Sequence, residues 1–260
     1  MNPIDQFNSE KHDRIVALSA DAKLQEQSRE WVESAMEAKY VYNFSWLGRP
    51  IIQFPQDMVA LQELIWAVKP DLIIETGIAH GGSLVFSASM LALLDVCEAF
   101  EEGKALDPRA SSRKVIGIDI EIRSHNRHAI NEHPLSDRIM MIEGSSIDLN
   151  IVEEVKAAAK GYQRVLVCLD SMHTHDHVLA ELEAYADLVT PGSYCVVFDT
   201  FVEDMPDNMF PDRPWSVGDN PKTAVWDFLQ KHSDFVIDKS IQHKLQITAA
   251  PDGYLKRISS

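Results

Sequence analysis

Cysteine is nearly missing from this chain. Three occur in 260 residues, Cys97, Cys168 and Cys195, and no two form a C-x-x-C pair. An odd number at that spacing argues against a disulfide framework and against a cysteine zinc site. Cys168 and Cys195 lie inside apolar runs and read as buried packing residues. Positive charge is also short: 24 Lys and Arg stand against 40 Asp and Glu, a formal net charge of −16. A chain this acidic is a poor candidate for wrapping nucleic acid or an anionic membrane, so no partner of either kind is expected. No apolar run approaches membrane-spanning length, and the N-terminus lacks the basic-then-apolar pattern of a signal peptide. The expected location is the cytoplasm. Internal repeats and low-complexity tracts are absent too. Apolar residues are plentiful at 45%, enough for a sizeable core in one large α/β domain with extensions.

The stretch that organises the chain is Asp71-Leu-Ile-Ile-Glu75-Thr-Gly77-Ile-Ala-His80-Gly81-Gly82-Ser83. It reads as a short buried strand ending in an acid, a glycine-rich turn, and a helix from about Ser83. In a wound α/β fold, a nucleotide-like ligand sits at such a turn, because glycines let the backbone approach it closely. The spacing is G-x-x-x-G-G, not G-x-G-x-x-G, which argues against a standard dinucleotide fingerprint. A glycine-rich turn that holds nothing fits the same pattern.

Residues 1–20 are mixed and polar, with no clear period. Ala22 to Tyr40 suggests a helix, with Leu24, Trp31 and Ala35 among its apolar positions. Tyr40, Tyr42, Phe44 and Trp46 follow, ahead of Gly48-Arg49-Pro50. This aromatic segment reads as an arm packed on the domain or on a second subunit, hence an expected homo-oligomer; the alternative is a lid or substrate wall. The division expected is an N-terminal helical and aromatic arm over 1–50 and the main domain over 51–260. Pro55 opens a helix to about Val68, stopped by Lys69-Pro70. Ser83 to about Cys97 is helical, and Glu98 to Arg113 reads as an inserted loop. Strands follow at Val115–Asp119, Arg138–Ile142, Arg164–Leu169 and Tyr194–Phe198. Helices alternate with them at His125–Glu132, Asp148–Ala159 and His175–Asp187. Residues 201–220, with Pro206, Pro211, Pro214 and Gly218, read as a long loop over the strand ends, suited to a lid. After a helix from Pro221 to about His232, Phe235–Asp238 and Lys244–Thr248 read as an antiparallel pair. The alternation describes an α/β fold with a doubly wound, mostly parallel sheet and an antiparallel C-terminal edge strand.

Each strand delivers polar residues at one edge. Glu75, Asp119, Ser145, Asp170 and Asp199 all follow apolar runs, and strand ends in such a sheet share one crevice. Asp119 suits hydrogen bonds from ribose hydroxyls, or else a helix cap or turn. The sharpest cluster is Leu169-Asp170-Ser171-Met172-His173-Thr174-His175-Asp176-His177, with Phe198-Asp199-Thr200 on the next strand. Two carboxylates on adjacent strand ends suit Mg²⁺, which keeps open positions for a substrate diol. His173 stands close enough to Asp170 to act as a general base. A zinc or iron cluster is the competing reading of the three histidines, and it would make the chain a metal-dependent oxygenase using Asp170, His173 and His175. His175 and His177 otherwise read as an exposed first helical turn that binds nothing. A cofactor-binding module without catalysis is the third reading.

Four motifs in order carry a resemblance: Glu75–Ser83, Asp119-Ile-Glu-Ile-Arg123 with His125-Asn-Arg127, Leu169–Val178, and Gly218-Asp-Asn-Pro-Lys-Thr-Ala-Val225. With the closing Gln246–Arg257, the chain resembles the cephalosporin hydroxylase / rhamnosyl O-methyltransferase family over roughly residues 40–257. The resemblance implies a Rossmann-like domain and Mg²⁺-assisted methyl transfer from S-adenosyl-L-methionine to a hydroxyl of a sugar or other small natural product. It implies cofactor contacts at Glu75, Gly77, Ser83 and Asp119, with His80, Gly81, Ser145 and Asp170 along the same crevice. It implies metal ligation by Asp170 and Asp199, with His173 taking the proton. One departure stands out. The family pattern has an acidic pair at the end of strand five, but here Phe198 precedes Asp199. Either Glu203 or Asp204 supplies a substitute ligand, or the site binds its metal weakly.

Overall fold

The computed structural model describes residues 2–258. Two helices, α1 (Pro3–Ala20) and α2 (Ala22–Glu37), precede a small hairpin of β1 (Phe44–Trp46) and β2 (Arg49–Ile51). Helix α3 (Pro55–Val68) leads into β3 (Leu72–Thr76) and α4 (Gly82–Glu102). Then come β4 (Lys114–Asp119), α5 (Ser124–Asn131), β5 (Ile139–Glu143), α6 (Leu149–Ala159), β6 (Val165–Leu169), α7 (His175–Tyr185) and β7 (Tyr194–Val197). The chain closes with α8 (Pro221–Lys231), β8 (Phe235–Ile237), α9 (Lys239–Leu245) and β9 (Tyr254–Arg257).

β3 and β6 are buried at every position, because unbroken apolar runs such as Leu-Ile-Ile and Val-Leu-Val-Cys-Leu suit strands covered on both faces. Alternate side chains then feed two cores. Ile73, Val115, Leu166 and Val196 pack beneath α3 and α4, while Leu72, Ile74, Val167 and Val197 pack beneath α6, α7 and α8. The sheet order is β5-β4-β3-β6-β7-β9-β8. The strands from β5 to β7 are parallel, and β9 runs antiparallel to both of its neighbours. The chain winds outward from β3 to β5 and then crosses to β6 on the other side of β3. That reversal opens a crevice at the C-terminal ends of β3 and β6, where wound sheets bind ligands.

Several elements differ from the expectation. Residues 3–20 form a helix, with Asn2 capping it and Pro3 in its first turn. None of its residues is buried, so no apolar stripe was there to read. Residues 44–51 form a hairpin, and the boundary drawn near 50 falls inside it. Helix α4 runs on to Glu102, where Gly103 caps it at φ 64°, which shortens the inserted loop. Its most apolar 18-residue window has a mean hydropathy of 1.6, long and apolar enough to cross a bilayer, contrary to the reading from run length. In this fold ten of its residues from Gly82 to Leu94 are buried in the protein. Lys244–Thr248 is not a strand. Asp238 caps α9 through the Ser240 N–H at 3.2 Å, and Ile241 and Leu245 belong to one helical face four residues apart. The true partner of β8 is β9, with Phe235 opposite Arg257.

Candidate active site

The glycine turn after β3 is pressed directly against the end of β6. Gly77 sits at φ 86°, and a Cβ there would lie 2.0 Å from the Asp170 carbonyl oxygen. Only glycine allows both the backbone angle and the approach. The Asp170 N–H donates to the Thr76 carbonyl at 3.1 Å, so the two strand ends are stitched together. Asp119 reaches across from β4. Its carboxylate accepts the Ile78 and Ala79 N–H groups at 2.8 and 3.1 Å and the Glu121 N–H at 3.2 Å. In this structure Asp119 therefore shapes the turn. Arg49 on the hairpin fixes the same turn from above by donating to the His80 carbonyl at 2.9 and 2.6 Å.

Asp170, His173 and Asp199 form the acid–imidazole group at this crevice, each offering a donor atom within 4.8 Å of the others. The His173 Nε2 lies 3.1 Å from Asp199 Oδ2. Trp215, on the loop before α8, meets the His173 ring edge-on at 4.7 Å. Gln53, between β2 and α3, donates from Nε2 to Asp170 Oδ2 at 3.0 Å. A cavity of about 240 Å³ is lined by Gly77, Ile78, His80 and Ser83 of the turn and by Asp170, His173 and Asp199. The sequence motifs separated by over 80 residues thus face one space.

Burial pushes the Asp170 carboxyl well above the ordinary carboxylate range, and the charges of Asp199, Glu75, Glu181 and Asp57 push it the same way. A half-buried acid raised by four other acids marks a focus of negative potential. The two carboxylates there have the donor chemistry for a hard divalent cation, with the imidazole beside them. Glu75 is 4% exposed. Burial raises it, while hydrogen bonds from the Ser87 and Ser83 hydroxyls lower it. It borders a small space of about 20 Å³ shared with Gln53, Asp170 and Phe198.

Other expected residues lie elsewhere. Glu203 is not in the acid–imidazole group. Its carboxylate accepts the Gly218 N–H at 2.8 Å and the Asn220 amide, while Asp204 pairs with Lys222 at 2.6 Å. Both acids anchor the loop to α8 rather than replacing the missing ligand. Ser145 does not line the 240 Å³ cavity; its carbonyl accepts the Asp148 N–H at 2.9 Å. His175 turns to α8, with Nδ1 2.8 Å from the Thr223 hydroxyl, which removes the second imidazole an oxygenase cluster needed. His177 is not an idle exposed residue: its Nε2 lies 3.1 and 3.2 Å from the Ser146 and Ser171 hydroxyls. Those hydroxyls donate to the buried Glu181 at 2.5 and 2.6 Å. Gln53 and Trp215 had been passed over. The one signal for Gln53 was a lone amide inside Ile-Ile-Gln-Phe.

The sequence profile described as Rhamnosyl O-methyltransferase/CmcI matches residues 38–258. A rhamnosyl O-methyltransferase of Mycobacterium tuberculosis is 29% identical over 207 residues, covering 77% of this chain and 73% of that protein. The Mycobacterium leprae rhamnosyl O-methyltransferase is 28% identical over 221 residues, covering 84% and 85%. Among solved structures, CmcI with Mg and SAM superposes with a TM-score of 0.54 at 16% identity, covering 84% of this chain and 78% of that one. The apo TDP-rhamnose 3'-O-methyltransferase of calicheamicin biosynthesis superposes with a TM-score of 0.51 at 18% identity, covering 78% and 79%. At these identities the two structures speak to the fold.

Proposed function

The chain belongs to the rhamnosyl O-methyltransferase/CmcI family, and from that premise we propose that it methylates a hydroxyl of a sugar or sugar-bearing natural product, with S-adenosyl-L-methionine as donor and Mg²⁺ as helper. The observation that carries this is the single cavity bordered by the glycine turn and by Asp170, His173 and Asp199. S-adenosyl-L-methionine supplies an electrophilic methyl group, and a cation on the two carboxylates lowers the pKa of the acceptor hydroxyl. The turn from Gly77 to Ser83 would hold the donor, since Gly77, Ile78, His80 and Ser83 border the cavity. Asp170 and Asp199, just past the ends of the neighbouring strands β6 and β7, would hold the cation and with it orient the acceptor oxygen. His173 receives the hydroxyl proton on a ring nitrogen, and Asp199, 3.1 Å away, stabilises the imidazolium. Trp215 braces that ring and shields it from water. Most of the acceleration then comes from alignment and electrostatic stabilisation.

The test is transfer to rhamnosides followed by mass spectrometry, with and without EDTA. Asp170→Ala abolishes the product while calorimetry still finds the donor bound; unchanged turnover overturns the assignment. Turnover that needs O₂ and iron would select the oxygenase reading instead. Three free thiols, Cys97, Cys168 and Cys195, agree with a reducing, cytoplasmic setting. Helix α1, with no buried residue of its own, supports a homo-oligomer.

A further inference from the structure

We propose that Gln53 supplies a donor oxygen to the cation site, filling the place that Phe198 leaves without an acid. The inference rests on the metal-assisted reading above. Gln53 is 7% exposed. Its Nε2 is 3.0 Å from Asp170 Oδ2, yet its Oε1 is buried and finds no hydrogen-bond partner among the described residues. A buried carbonyl left without a donor is uncommon and calls for a reason.

The geometry supplies one. Adjacent ligands of an octahedral Mg²⁺ with bonds of about 2.1 Å lie about 3.0 Å apart. The Gln53–Asp170 contact of 3.0 Å has that length. Without a cation it is a hydrogen bond. A half-turn of the terminal amide exchanges Nε2 and Oε1, which are nearly equal in size. It would present the carbonyl oxygen beside Asp170 while the N–H groups turn away from the positive charge. The space of about 20 Å³ bordered by Gln53, Glu75, Asp170 and Phe198 gives room for that turn. The buried Phe198 ring offers neither oxygen nor charge there. Gln53 restores an oxygen but not a charge, so the site holds its cation less tightly than three carboxylates would. Because Gln53 stands two residues after the end of β2, the ligand set also reaches outside the sheet, into the segment that carries the hairpin.

The test uses Mn²⁺ as probe on the full-length protein, with affinity read by electron paramagnetic resonance of the free ion. Gln53→Leu and Gln53→Met weaken Mn²⁺ binding about tenfold or more, as loss of an oxygen donor should, with donor affinity by calorimetry kept as the check on folding. Gln53→Glu, isosteric and charged, tightens it. Equal or tighter binding in Gln53→Leu overturns the proposal, since it would mean that the amide merely competes with the cation for Asp170. A Gln53→Glu protein that binds no tighter than wild type overturns it as well. Wild-type protein that binds S-adenosyl-L-methionine but no Mn²⁺ overturns the metal-assisted reading itself, and this proposal with it.

Discussion

His173 and Asp57 show how much a single side chain is asked to do here. His173 is held between Asp199 at 3.1 Å and the Trp215 ring at 4.7 Å. Its replacement by Ala is expected to lower kcat by about 10²–10⁴-fold, the usual worth of a positioned base, with donor affinity unchanged by calorimetry. A fall confined to KM would remove it from proton transfer. Asp57, at the start of α3, is hydrogen-bonded to Ala249, which lines the same cavity. It accepts the Thr248 hydroxyl at 2.5 Å, the Ala249 N–H at 2.7 Å and the Tyr254 hydroxyl at 2.8 Å. Burial nonetheless pushes its carboxyl from 3.8 up to about 6, with the Asp199 charge adding to it. Between about pH 4 and pH 6 the folded chain keeps a proton that the unfolded chain has released. Stability therefore falls as pH rises through that window, by about 3 kcal/mol in total, and is flat in this contribution above it. Asp57→Asn has no such dependence. In urea unfolding the stability of the mutant relative to wild type rises by that order between pH 4 and pH 7; a constant difference would contradict the burial argument.

At the scale of elements, legibility followed burial. β3, β4, β6 and β7 were readable because both faces are covered and their apolar runs are unbroken, and α3, α6 and α8 because Pro55, Asp148 and Asn220-Pro221 mark their starts. The strand-end acids were readable for the same reason, each being the first polar residue after such a run. Elements with weak burial or mixed periods were not. α1 has no inward face, and residues 239–248 carry Ile241, Leu245 and Ile247 at spacings that fit either a helix or a strand. Gln53 and Trp215 come from connecting segments whose placement is set by tertiary packing. Spacing along the chain carries no record of that packing. The turn after β3 is the element where sequence and geometry constrain each other most. Gly77→Ala must meet both the strain of φ 86° and the Asp170 carbonyl at 2.0 Å, whereas Gly192→Ala meets φ 85° and open space. Gly192→Ala should cost about 1–2 kcal/mol, the left-handed penalty alone. Gly77→Ala should exceed it and also weaken donor binding at least about tenfold, since the turn itself must shift. Equal melting temperatures and equal donor affinity in the two variants would show that the close approach is dispensable.

For the whole molecule, the question is what holds α1, which meets α9 and α2. In proteins most helical stability comes from tertiary packing of an apolar face, and none of the α1 residues is buried. Ile4, Phe7 and Val16 stand 65%, 58% and 53% exposed. The family match begins at residue 38, so α1 and α2 lie outside the matched region, although Met36 of α2 lines the site cavity. The chain as a whole carries a charge of −16, yet α1 holds Asp5, Glu10 and Asp13 against Lys11 and Arg14, a net charge of −1 with His12 neutral. Two copies meeting at α1 would therefore repel each other little. A second copy seated on the Ile4 and Phe7 face would give the helix the apolar cover it lacks. Light scattering on the full chain should then report more than one protomer, and Ile4→Glu with Phe7→Glu should convert it to monomer without changing kcat. Exposed substitutions on a monomer alter stability by no more than about 0.5 kcal/mol. A wild-type monomer whose melting temperature is indifferent to both changes would therefore show that the α1 contact with α9 suffices to hold the helix.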